Sequence, residues 1–111
     1  MKNLFGAVLA AFFFCAPAQA SEGWASYYKS GRFTANGEHF QPMGLTCAHR
    51  LFAFGTKLKV TNLRNGRSVI VRVNDRGPFI RGRVLDLSLG AANVIGMNGA
   101  GVAKITFIVM N

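Results

Sequence analysis

A small, mainly β domain closed into a barrel, with a short helix near its C-terminal end, is the fold class this sequence predicts. Three observations predict it. Several segments alternate apolar and polar residues with the period of two that a half-buried strand requires. These segments are short and are separated by turns rich in Gly and Asn. Setting aside the first twenty of the 111 residues leaves 91, enough for one core, and a closed barrel is the arrangement of short strands that leaves no sheet edge open.

Those first twenty residues read as an export signal. Lys2 gives a positive start, residues 4–16 form an almost unbroken apolar run, and Ala18-Gln19-Ala20 has the small-x-small form of a cleavage point. The run is shorter than the roughly 20 residues a membrane-spanning helix needs, and the Phe residues ahead of Cys15 do not suit lipid attachment. The expectation is a soluble exported domain over residues 21–111, in the periplasm or cell envelope, with no stable membrane anchor.

Within that domain "GWASYYKS" carries Trp24, Tyr27 and Tyr28, aromatic residues that favour a strand. Residues 31–44 follow as a long ordered loop or a pair of short strands, the kind of segment on which sites are built. "TKLKVTNL" alternates Leu58, Val60 and Asn62 against Lys57, Lys59 and Thr61; "RSVIVRVN" alternates Val69, Val71 and Val73 against Ile70, Arg72 and Asn74. Asn65-Gly66 between them predicts an antiparallel hairpin from Lys57 to Val73. "RVLDLS" reads as a further strand. Ser88 is placed to cap a helix over Leu89 to Ile95 that Gly96 ends, and "GVAKITFIVMN" supplies a last strand with Val102, Ile105, Phe107 and Val109 apolar.

Thirteen basic residues against four acidic ones give a formal charge of +9. Without Lys2 the domain carries +8, which favours anionic polymers. Export argues against nucleic acid and for an anionic wall polymer or a membrane surface. With Cys15 removed Cys47 stands alone, so no internal disulfide is available, and it reads as a small buried residue on a strand.

The residues able to carry chemistry are few: Glu38, His39, His49, Asp75 and Asp86. None has metal-ligand spacing, no Ser sits in a Gly-x-Ser-x-Gly elbow, and no cofactor motif is present. Carboxylate chemistry remains. Glu38 follows Asn36-Gly37, a turn that presents it from a loop. Asp75 ends the hairpin strand, where it either does chemistry or caps the following turn and pairs with Arg76. His49 is either functional or a packed barrel histidine. Asp86 pairs with Arg83 or caps the helix start.

The segments "ASYYKSGRFTANGEHF", "LTCAHRLFAFGTKLKVTNLRNGRSVIVRVNDRGPFIRGRVLDLSLGAANVIGM" and "GVAKITFIV" together resemble the rare lipoprotein A group of double-psi β-barrel domains, found in septal lytic transglycosylases of bacterial cell walls. The resemblance covers essentially the whole domain. It implies a six-stranded double-psi barrel with one or two short helices, acting on the glycan strands of peptidoglycan. The carboxylate of "TANGE" falls on Glu38, the histidine of "T-x-A-H" on His49 and the aspartate of "NDRGP" on Asp75. One carboxylic acid protonates the leaving oxygen as an oxocarbenium-like centre forms; the muramyl 6-hydroxyl then closes onto the anomeric carbon to leave a 1,6-anhydro end. Asp75 is expected to be that acid/base, Glu38 to stabilise positive charge or help deprotonate the hydroxyl, and His49 to orient a carboxylate or bind sugar, with the roles of the two acids open to exchange.

A general acid must hold its proton near neutral pH, and Arg72, Arg76, Arg81 and Arg83 oppose that. The expectation is therefore that Arg72, Arg76 and Arg81 extend along the cleft toward substrate, helped by Asn74 and Tyr28, while the acid is desolvated or faces another carboxylate. Trp24, Tyr27 and Tyr28 are candidate sugar platforms or core aromatics. No metal, cofactor or nucleic acid is expected, and the domain is expected to be a monomer. The alternative is a non-catalytic, expansin-like module that grips peptidoglycan without cutting it.

Overall fold

The computed structural model describes residues 20–97 and 99–110; residues 1–19 of the expected signal segment, residue 98 and the last residue lie outside them. Among the described residues the elements run β1 (Ser21–Tyr28), β2 (Thr46–Ala48), β3 (Lys57–Asn62), β4 (Ser68–Asp75), β5 (Arg83–Ser88), α1 (Leu89–Val94) and β6 (Val102–Met110). The strands close into a barrel in the order β1-β5-β2-β4-β3-β6. No helix among the described residues is long and apolar enough to cross a membrane.

β3 and β4 form the antiparallel hairpin that their alternation predicts, with Val60 opposite Val69 and Lys57 opposite Arg72. Leu58, Val60, Val69, Val71 and Val73 are buried, while Lys57, Lys59 and Ile70 are exposed. The connection is longer than a two-residue turn. Asn62, buried at its start, accepts from the Arg64 N–H at 3.0 Å through Oδ1 and donates to the Ile95 carbonyl at 2.9 Å through Nδ2. Asn65 donates to the same carbonyl at 3.0 Å, so the hairpin tip is tied to the end of α1.

Leu85 and Leu87 of β5, Ile105 and Phe107 of β6 and Ala25 of β1 complete the interior. Each aliphatic side chain of this kind contributes about 1.5–3 kcal/mol through burial. Val109, expected with the apolar set, shares the inward face of β6 with Ile105 and Phe107 and lies opposite Leu58, but near the strand's end it is 39% exposed. Cys47 is fully buried on β2; burial, with Asp86 nearby, pushes its thiol up to about 12, which makes it a packing residue rather than a nucleophile.

α1 starts at Ser88, whose hydroxyl accepts from the Ala91 N–H at 3.2 Å. The same hydroxyl donates to the Gly44 carbonyl and accepts from the Thr46 N–H at 3.4 Å. Gly90 approaches the 42–44 segment so closely that a β-carbon would lie 2.5 Å from the Met43 carbonyl oxygen, and its N–H donates to Pro42 at 2.8 Å. The helix start therefore anchors the segment leading into β2. Helical geometry stops at Val94, with Ile95 as the C-cap, and Gly96 takes the left-handed turn at φ 70°.

Two features place the site. Residues 31–44 contain a single isolated bridge, Phe33 with His39, rather than paired strands. Phe40 anchors this loop by burial and by stacking on Tyr28 at 4.6 Å. The second feature is a bulge between β2 and β4: Cys47 pairs with Val73 and Ala48 with Asp75, so Asn74 is the extra residue. Val73 and Asn74 are consequently both buried, and the strand bends at the point where it presents Asp75.

Candidate active site

Glu38 is fixed by its own loop before any other element reaches it. The Thr34 hydroxyl donates to Asn36 Oδ1 at 2.6 Å, and the same oxygen accepts from the Glu38 N–H at 3.0 Å. Asn36 Nδ2 donates to Glu38 Oε2 at 3.0 Å. Gly37, at φ 91°, lets the chain turn this tightly. The Asn36 N–H donates to the Asn74 carbonyl at 3.2 Å, which fastens the loop to the bulge.

β4 supplies the remaining partners. Arg72 grips the Glu38 carboxylate through two bonds, Nη1 to Oε2 at 2.6 Å and Nη2 to Oε1 at 2.9 Å, and Asn74 Nδ2 donates to Oε1 at 3.1 Å. Arg72 first, then Asn36 and Asn74, hold the carboxyl down at about 2. Glu38 is thus a fixed anion near neutral pH, although its side chain is 39% exposed. The expectation that Arg72 reaches out to substrate is corrected: the bidentate geometry commits its guanidinium to Glu38.

Asp75 differs in how its two oxygens are used. Oδ1 accepts from the Ala35 and Arg76 N–H groups, both at 2.9 Å. Oδ2 faces only the Tyr28 hydroxyl, at a long 3.4 Å. Burial first, and then Asp75, raise the Tyr28 phenol above its ordinary value, so it stays protonated and acts as a donor. One oxygen is tied to the backbone and the other meets only this long contact; no carboxylate is among the hydrogen-bond partners of half-buried Asp75, which corrects the expectation that the acid faces another carboxylate.

His49 supports this arrangement through its main chain and its loop. Its N–H donates to the Asp75 carbonyl at 3.2 Å. Its Nδ1 accepts from the Leu51 and Phe52 N–H groups at 3.0 Å, which requires a neutral ring with its proton on Nε2. Burial, then Arg50 and Arg76, lower its pKa accordingly. The ring stacks on Phe52 at 3.9 Å. Arg76 is likewise turned inward: Nη1 donates to the Phe52 carbonyl at 2.8 Å and the guanidinium sits 3.9 Å from the centre of the Phe54 ring. That contradicts a guanidinium extended along the cleft, because two backbone carbonyls and an aromatic face already satisfy it.

A family model described as lytic transglycolase matches residues 20–107. The chain belongs to this family. Its curated relatives include a probable endolytic peptidoglycan transglycosylase RlpA from Nostoc sp., 57% identical over 94 residues, which are 80% of this chain and 25% of the relative. The protein of that name from Synechocystis sp. is 59% identical over 86 residues, 75% of this chain and 27% of its own length. The endolytic peptidoglycan transglycosylase RlpA of Campylobacter jejuni is 48% identical over 90 residues, 78% and 33% of the two chains. This chain therefore spans about a quarter to a third of the length of these relatives. Among solved structures, a Streptomyces papain inhibitor has a TM-score of 0.70 at 23% identity, covering 86% of this chain and 98% of that one. An expansin of Clavibacter michiganensis has a TM-score of 0.67 at 24% identity, covering 84% and 51%. The fold they share with this chain is the double-psi β-barrel.

In this lytic transglycolase domain the remaining sequence candidates fall outside the carboxylate pair. Arg81 lines a separate hollow of about 350 Å³ with Trp24, Ile80 and Arg83, and no acid lines it. Asp86 accepts from the Ser26 hydroxyl, which corrects the expected pairing with Arg83; the helix cap is Ser88. Trp24 stands exposed beside Lys104, away from the interior. No three His, Cys, Asp or Glu side chains among the described residues come together as a metal site. Two residues beside Glu38 had no role in the sequence reading: Asn36, which bonds Glu38 and was legible as an Asx residue ahead of Gly37, and Thr46, buried and lining a groove with Glu38, which left no signal in the sequence.

Proposed function

We propose that this lytic transglycolase domain cleaves the glycan strand of peptidoglycan and leaves 1,6-anhydromuramyl ends. The observation that carries the reading is the division of labour between two carboxylates on one scaffold: Glu38 is saturated by Arg72, Asn36 and Asn74, whereas Asp75 keeps Oδ2 available. Asp75 Oδ2 gives its proton to the departing glycosidic oxygen, and the bond to the anomeric carbon breaks. The same oxygen then takes the proton of the muramyl 6-hydroxyl as that oxygen bonds to the anomeric carbon. No water is consumed. Glu38 acts as the fixed negative group beside the oxocarbenium-like centre, and its ionised state keeps it out of the donor role. Tyr28 steadies Asp75, and His49 with Arg76 holds the 49–54 loop beside it.

The names of the relatives support the substrate class. The reading also includes export through residues 1–20, residence in the cell envelope, action as a monomer, and Arg81 as an outlying contact for anionic polymer. The test is incubation of residues 21–111 with purified peptidoglycan, followed by mass spectrometry. Anhydro products that fall by about 10²–10⁴-fold in Asp75→Asn support it. Sedimentation with glycan but no release would instead identify a binding module, and reducing ends without the anhydro mass would identify a hydrolase.

A further inference from the structure

Among the described residues, two side-chain polar atoms are buried without a hydrogen-bond partner: Thr46 Oγ1 and Asn74 Oδ1. Thr46 is 8% exposed and Asn74 2%. Both residues line one groove of about 260 Å³, shared with Glu38, Arg72 and Leu45. Unsatisfied buried polar atoms are uncommon and destabilising, so two on one groove point to a ligand that completes them. Rotation of the Asn74 amide does not solve the problem. Its Nδ2 already serves Glu38 Oε1, and a flip would set the amide oxygen against the carboxylate.

The chemistry of the missing group follows. Asn74 Oδ1 can only accept, so the ligand must donate to it; Thr46 Oγ1 can donate back. Glu38 and Arg72 are paired with one another in the same groove, so neither calls for a ground-state ligand of opposite charge. Leu45, 46% exposed, supplies an apolar wall. A neutral group with an N–H, a carbonyl and a small apolar end satisfies all of these.

We propose that this groove is a subsite for the 2-acetamido group of an amino sugar, with its N–H donating to Asn74 Oδ1, its carbonyl accepting from the Thr46 hydroxyl and its methyl lying against Leu45. The inference rests on the glycan-cleaving function proposed above. The two atoms are covered in this structure, so seating the group requires the lining to open, and Gln41 is an exposed residue of that lining.

The experiment compares cleavage of native glycan strands with strands that have been de-N-acetylated and with the same strands re-acetylated. The expected result is a loss of kcat/KM of at least about tenfold on de-N-acetylation, restored on re-acetylation. Thr46→Val cuts the native strand at the de-acetylated rate and no longer distinguishes the substrates, while melting no lower than the wild type because an unpaired hydroxyl has been removed. Thr46→Ser keeps the discrimination. Equal cleavage of both substrates by the wild type overturns the subsite and leaves the proposed function standing. Discrimination retained in Thr46→Val, or failure of that variant to fold, also overturns it. Cleavage of neither substrate by the wild type removes the function and the subsite together.

Discussion

Replacing Ser88 with alanine removes three contacts made by one buried hydroxyl: the cap on Ala91, the bond to the Gly44 carbonyl and the weaker bond from Thr46. Loss of an N-cap side chain costs about 1 kcal/mol. Leaving the half-buried Gly44 carbonyl without its donor costs about 1–2 kcal/mol more. The long Thr46 bond adds little. The expected loss is about 2–3 kcal/mol, which for a domain of this size lowers Tm by about 10–20 °C and the urea midpoint by about 1–2 M. Unfolding followed by circular dichroism at pH 7 measures it. Ser88→Gly divides the sum, because glycine at an N-cap costs only a few tenths of a kcal/mol; it should recover part of the cap contribution and none of the Gly44 contribution. Since residues 44–46 border the groove, both variants should also weaken glycan cleavage. A Ser88→Ala loss below about 1 kcal/mol would refute the view that one hydroxyl joins helix, loop and strand.

Two predictions concern pH. The Glu38 carboxyl, about 2 in the folded domain against an ordinary 4.5, adds stability that is present above 4.5 and disappears as pH falls from there toward 2; urea midpoints of Arg72→Gln should therefore decline less steeply across that window than those of the wild type, and equal slopes would contradict the Arg72 assignment. His49, held neutral and below its ordinary value, adds stability present above pH 6.5 and lost as pH falls below it. His49→Asn keeps an acceptor for Leu51 and Phe52 but does not titrate, so its stability should change less between pH 7 and 5 while cleavage persists within about tenfold; complete loss of cleavage in a folded variant would place His49 in proton transfer.

The hairpin was readable because burial-prone Leu58, Val60, Val69, Val71 and Val73 recur at every second position, with Ile70 the exception on the outward face, and because Asn65-Gly66 marks the turn. Ser88 and Gly96 marked the helix for equally local reasons. β2 was harder, since its three residues are all buried and show no alternation. The bulge at Asn74 left no trace at all, because it depends on which strand lies alongside β4. That bulge decides much of the site. The positions of Glu38 and Asp75 came from local turn signals and from resemblance, but the destinations of the arginines did not: a guanidinium extends far enough to choose between substrate, carboxylate and backbone, and only the folded neighbourhood makes the choice. Arg72 chose Glu38 and Arg76 chose the Phe52 carbonyl.

The strand order has a kinetic consequence. Only the β3–β4 seam joins strands that are adjacent in the sequence; the ring closes where Ser21 meets Phe107 and where Leu58 meets Val109. Until β6 arrives, β1 and β3 each keep an unpaired edge. Contacts so distant along the chain form slowly, and open edges invite pairing with other chains. The last strand is therefore the stave that makes the barrel watertight: a chain stalled short of it holds most of the sheet and remains prone to aggregate.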